Sequence, residues 1–158
     1  MADADIPTLR RILRSARTLA VVGLSAEWHR PSFFAAKYMQ EHGYRIIPVN
    51  PRYPEILGER CHASLETIEE PVDIVDVFRK TEDVLPIARQ AIAIGAKCLW
   101  LQIGVIDEAS AAKARRAGLD VVMDRCVKIE HARLFGGLNW AGVNTRVISA
   151  RRPQQLFY

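Results

Sequence analysis

Apolar and polar stretches alternate along this chain in a βα rhythm. Two continuous apolar runs, Thr18 to Gly23 and Tyr44 to Val49, have the density of strands covered on both faces. Three more follow: Asp73 to Phe78, Lys97 to Gln102 and Leu119 to Met123. Between them the apolar positions recur at helical spacing. Leu9 to Ala16 predicts a short basic amphipathic helix with Leu9, Ile12, Leu13 and Ala16 on one face. Ser32 to His42 predicts a second, with Phe34, Ala35, Tyr38 and Met39 together, Pro31 at its start and Gly43 at its end. A third helix begins near Thr81, with Glu82 and Asp83 in its first turn, and stops at Gly95. A fourth runs from Asp107 to Gly118, and Val127 to Leu134 closes the pattern. Residues 50–71 are the least regular, with room for one short helical turn after Ser64.

Five strands with intervening helices predict an α/β fold. The expected architecture is a Rossmann-like, doubly wound parallel sheet in a three-layer α/β/α arrangement. The strand order expected is 3-2-1-4-5. Ligands on such sheets bind beyond the carboxyl ends of the strands, here near the switch between strands one and four. Residues 1–135 form the expected domain. The tail, 136–158, lacks periodicity and is expected to be peripheral or partly disordered, or ordered against another subunit or protein partner.

Composition narrows this picture. Hydrophobic residues make up 49% and charged residues 25%, which excludes a disordered chain. A net charge of +4 suits an anionic small molecule, and no basic block or basic–aromatic alternation points to nucleic acid. No apolar run reaches membrane-spanning length, and the acidic amino terminus has no signal-peptide core. Cys61, Cys98 and Cys126 are widely spaced, so no zinc or redox motif is indicated and a reduced, cytoplasmic protein is expected.

The strand ends nominate the chemistry. Strand one delivers Gly23-Leu24-Ser25, followed by Arg30-Pro31-Ser32. Backbone N–H groups at a helix start attract phosphate, Ser25 and Ser32 add hydroxyl donors, and Arg30 adds a charged fork. Gly23 equally relieves a tight turn. Strand two delivers Asn50-Pro51-Arg52, where an NAD enzyme would place an acid for the ribose 2′-hydroxyl. A neutral amide, a rigid proline and a cation suit a nucleotide with an extra phosphate. Strand three delivers Phe78-Arg79, strand four Gln102, Gly104 and Val105, and strand five Asp124-Arg125-Cys126. Cys126 has two readings: a thiol activated beside Arg125, or a small buried hydrophobe. The four histidines show no metal-ligand spacing, and no HExxH, nucleophile elbow or Walker loop is present.

Taken together, these segments resemble the stand-alone CoA-binding proteins, whose Rossmann domain is similar to that of the succinyl-CoA synthetase alpha subunit. The matching pieces are Val21 to Ser25, Arg30 to Ser32, Ile47 to Arg52, Asp73 to Arg79, Trp100 to Gly104, and Val121 to Cys126 with Lys128 to His131. The resemblance spans roughly residues 5 to 135. It implies that Gly23 and Ser25 line the pyrophosphate loop, and that Asn50-Pro51-Arg52 borders the adenosine and 3′-phosphate. It implies that Phe78-Arg79 and Gly104-Val105 border the remaining nucleotide and the pantetheine arm. The synthetase's phosphohistidine and second domain have no counterpart here, so ligase activity does not carry over. The expected function is binding of CoA or acyl-CoA without catalytic groups. The alternative is an NAD(P)-binding oxidoreductase or redox sensor, since Arg52 equally suits an NADP 2′-phosphate. A third reading has Cys126 forming a mixed disulfide with the CoA thiol.

Overall fold

A computed structural model describes residues 4–136; the tail expectation falls almost wholly outside them. Helix α1 (Ile6–Ser15) starts earlier than its periodicity indicates, because Asp5 caps it by accepting a 3.0 Å hydrogen bond from the Thr8 N–H. Its apolar stripe, Leu9, Ile12 and Leu13, is buried as expected. Strand β1 (Thr18–Val22), helix α2 (Pro31–Glu41) and strand β2 (Arg45–Val49) follow. Pro31 opens α2, where its fixed φ fits and its missing N–H costs nothing. Phe34, expected on the buried side of α2, is exposed, and Ala35, Ala36 and Met39 face inward instead.

The irregular segment after β2 contains a small hairpin that periodicity did not show, β3 (Glu55–Ile56) and β4 (Glu59–Arg60). Leu57 and Gly58 both have positive φ, 55° and 76°, the backbone of a tight two-residue turn. The turn foreseen after Ser64 is a single 3₁₀ turn at Leu65–Thr67. Then come β5 (Ile74–Val77), a 3₁₀ turn at Thr81–Asp83, α3 (Val84–Ala93), β6 (Cys98–Leu101), α4 (Glu108–Arg116), β7 (Asp120–Val122) and α5 (Val127–Phe135).

The main sheet is parallel throughout, in the order β2-β1-β5-β6-β7. The α/β Rossmann-like class stands. The strand order does not: counted in chain order it is 2-1-3-4-5, and not 3-2-1-4-5. Two contacts explain the difference. The outer edge of β2 is taken by His62, whose N–H donates to Pro48 O and whose carbonyl accepts from the Asn50 N–H, both at 2.9 Å. The Asp73 carboxylate accepts from the N–H groups of Arg17 (2.7 Å) and Thr18 (3.1 Å), which pins the start of β5 beside β1. The switch point therefore moves to the gap between β1 and β5.

Side chains alternate across the sheet into two cores. Leu19, Val21, Ile46, Ile74, Trp100 and Val122 face α1, α2 and α5. Ala20, Val22, Ile47, Val49, Val75, Val77, Leu99 and Leu101 face α3, α4 and the Leu65 turn. Trp100 is fully buried, and its indole N–H donates to Arg125 O at 2.9 Å, so the largest core side chain also anchors the loop leaving β7.

Candidate functional site

The carboxyl edge of the sheet gathers every segment nominated from the sequence. The loop leaving β1 is locked to its neighbours. The Gly23 N–H donates to Val49 O, and the Phe78 N–H donates to Val22 O, each at 2.9 Å. Gly23 has φ +87°, and a Cβ there would stand 2.4 Å from Phe78 O. The missing side chain thus permits close contact with the β5 exit.

The two serines organise this loop. The Ser25 N–H donates to the buried Ser32 Oγ (3.0 Å), and Ser25 Oγ accepts from the Glu27 N–H (3.0 Å). Each hydroxyl proton remains available to a further acceptor. Arg30 is not solvated freely. Its Nε donates to Glu27 Oε2 at 2.8 Å, and the guanidinium holds the Glu27 carboxyl below its ordinary range.

Asn50 acts as a clamp. Its Nδ2 donates to Leu24 O (3.0 Å), and its Oδ1 accepts from the Arg52 N–H (2.9 Å). The first bond ties β2 to the β1 loop; the second is an Asx turn that, with Pro51, fixes where Arg52 leaves the strand. Arg52 is exposed and makes no ion pair among the described residues. The side chain that ended a strand in the sequence pattern is thus a cation aimed from a rigid turn.

At the β5 exit, Arg79 pairs with Asp83 (3.1 Å) and its Cδ lies close to Gly23, while Phe78 is half-buried. Gln102 points inward. It is buried, and its Nε2 donates to Asp76 Oδ1, so its side chain serves the core. Burial pushes the Asp76 carboxyl up to about 7, against the opposing pull of Gln102. Gly104 has φ +84° with open space where a Cβ would lie, and its N–H donates to Asp124 Oδ1 at 2.7 Å. Val105 beneath it is buried. Cys126 stands at the start of α5. Burial pushes its thiol up, outweighing the N–H groups of Ile129 and Lys128 that favour the thiolate. Burial thus disfavours a thiolate at Cys126.

One residue at this edge escaped the sequence reading: Ile106, 48% exposed in the β6–α4 loop; Trp28, which follows the strand-one exit in the sequence, is 75% exposed in the β1–α2 loop. Large apolar side chains presented at loop tips were the available signal. Tyr53, next to Arg52, is half-buried.

Fold and edge together define an open α/β protein of the kind that takes its ligand beyond the ends of its strands. Residues 17–132 match the CoA binding domain family, and the chain belongs to that family. It is similar to YneT, an uncharacterised protein of Bacillus subtilis, at 40% identity over 132 residues, covering 84% of this chain and 98% of YneT. Among solved structures it is similar to a Thermus thermophilus protein (39% identity, TM-score 0.80, covering 84% of this chain and 100% of that one). A hypothetical protein from Pyrococcus horikoshii is similar at 38% identity and TM-score 0.82, covering 84% and 94%. A 58-residue stretch is 28% identical to an ADP-forming acetate–CoA ligase of Methanocaldococcus jannaschii, covering 37% of this chain and 8% of the ligase. No helix of the described residues is long and apolar enough to cross a membrane.

Proposed function

We propose that this protein binds coenzyme A, free or acylated, at the carboxyl edge of its sheet and acts as a binding module. The observation that carries the reading is Arg52. It is an exposed cation, held by the Asn50 Asx turn, at the strand end where a dinucleotide enzyme places an acid. CoA brings a 3′-phosphate to meet it. The other residues fit the same ligand. Ser25 and Ser32 keep hydroxyl protons for the pyrophosphate, and Gly104 leaves room for a chain to lie against the backbone. Phe78 and the exposed Trp28 and Ile106 supply apolar surface for the base and the pantetheine arm.

The histidine side chains of the described residues have partners of their own. The histidines engage Glu27, the Tyr38 carbonyl, Thr67 and the Tyr38 hydroxyl. None of them hydrogen-bonds to Ser25, Ser32 or Cys126 among the described residues.

Calorimetry with CoA and 3′-dephospho-CoA tests the reading. CoA should bind about tenfold more tightly, and Arg52→Ala should erase the difference, since one charge-assisted contact to phosphate is lost. Equal affinities in the native protein would remove Arg52 from the site. Binding of NADPH with no binding of CoA would replace the proposal with a dinucleotide reading.

A further inference from the structure

In the structure three basic groups converge on one exposed carboxylate beside the phosphate loop. Glu27 Oε2 lies 2.8 Å from Arg30 Nε and 3.9 Å from His29 Nε2. Arg52, from the neighbouring strand, is near enough for its charge to act on the same carboxylate. Glu27 is itself held in place: its N–H donates to Ser25 Oγ, and its carbonyl accepts from the Arg30 N–H at 3.0 Å. The turn 27–30 is therefore braced, while the ion pair within it is half exposed on both sides, 60% for Arg30 and 50% for Glu27.

An exposed pair of this kind adds little to folding stability. Its position gives it another consequence. Arg30 and Arg52 are the cations a ligand phosphate at the ends of β1 and β2 would meet, and a carboxylate already engages Arg30.

We infer that Glu27 is a stand-in for the ligand's phosphate: it engages Arg30, with His29 alongside, and a phosphate group of CoA displaces it on binding. Glu27 is thus a specificity-determining residue that sets the affinity from the unfavourable side. It lowers the attraction for any single anion, and it yields only to a ligand whose phosphates engage Arg30 and Arg52 together. The inference rests on the CoA-binding reading of this edge.

The charge-neutral variant Glu27→Gln reports on it directly. With the carboxylate gone, the native cations act on the ligand unopposed, and calorimetry should show CoA bound about threefold or more tightly than by the native protein. The gain should disappear when Arg30→Gln is added, because the competition is for Arg30. It should be smaller for pantetheine 4′-phosphate, which carries fewer charges. Thermal melting of the variant should match the native protein, which separates a ligand effect from a folding effect. Native binding of CoA with Glu27→Gln equal or weaker in affinity would overturn this inference and leave the binding reading intact. Failure of the native protein to bind CoA would overturn both. A gain that persists unchanged in the Arg30→Gln background would also overturn it, by assigning the effect to general charge.

Discussion

At the scale of single residues, the side chain with the largest consequence away from the ligand edge is Asp76. A carboxyl that is fully buried in a parallel strand loses its hydration, and one hydrogen bond from Gln102 does not replace it. Its folded pKa of about 7 stands well above the ordinary 3.8. In the unfolded chain Asp76 ionises above the lower value; in the folded protein it keeps its proton up to the higher one. Its contribution to stability is therefore fully present below the unfolded pKa and is lost as pH rises towards about 7. Asp76→Asn keeps an oxygen to accept from Gln102 and has nothing to ionise. Measured by urea unfolding from pH 4 to pH 8, stability of the native protein should fall relative to the variant by about 4 kcal/mol. A difference constant with pH would show that Asp76 titrates normally. None of this was legible in the run Ile74-Val75-Asp76-Val77, where one acid among apolar neighbours reads simply as part of a strand. Gln102 was misplaced for the same reason. Sequence position puts it at a strand end, and only the partner on the next strand reveals that it turns inward.

Elements were more legible than side-chain directions. The helices around Leu9 to Ala16, Pro31 to His42 and Asp107 to Gly118 follow from apolar spacing and from the proline and glycines that bound them. The β3–β4 hairpin was invisible because two-residue strands carry no periodicity and its turn uses Leu57, a residue that rarely takes positive φ. What links the elements at the ligand edge is Gly23. Sequence reading gave it a role toward phosphate; the structure shows in addition that it lets the exits of β1 and β5 touch. A Cβ at this position meets a backbone carbonyl, which has no rotamer to move away, and the φ of +87° is strained for any L side chain. Gly23→Ala should therefore lower unfolding free energy by about 2 kcal/mol or more, seen as a reduced melting temperature. It should weaken CoA binding as well, because relieving the clash moves Phe78 and Arg79 away from the β1 loop. An alanine variant as stable as the native protein would mean that the two loops separate at no cost.

For the molecule as a whole, the strand order decides where a ligand can sit. A 3-2-1-4-5 order would have placed the switch point between strands one and four, with strand three beyond β2. The sequence could not distinguish the two orders, since the choice depends on His62 closing the edge of β2 and on Asp73 bonding to Arg17 and Thr18, contacts across 12 or more residues. With β5 beside β1, the segments Gly23–Ser25, Asn50–Arg52 and Phe78–Arg79 become adjacent exits of three neighbouring strands, and Gly104 follows on the fourth. A net charge of +4 on the whole chain favours the approach of an anion without selecting where it lands. The site must then be located by contact, and amide chemical-shift mapping during a CoA titration provides this. Shifts should cluster at Gly23 to Ser32, Asn50 to Arg52, Phe78 to Arg79 and Gly104 to Val105. The opposite edge, represented by Arg17, Tyr44, Asp73 and Lys97, should stay unchanged, because there the backbone is occupied by its own contacts: Arg17 and Lys97 both engage Asp73. A ligand lying only across β1 and β2 would leave Gly104 and Val105 silent, and would confine the protein's recognition to the nucleotide. Perturbation of all four segments, extending to Ile106, would instead trace the pantetheine arm along the edge from β1 past β5 to the loop after β6.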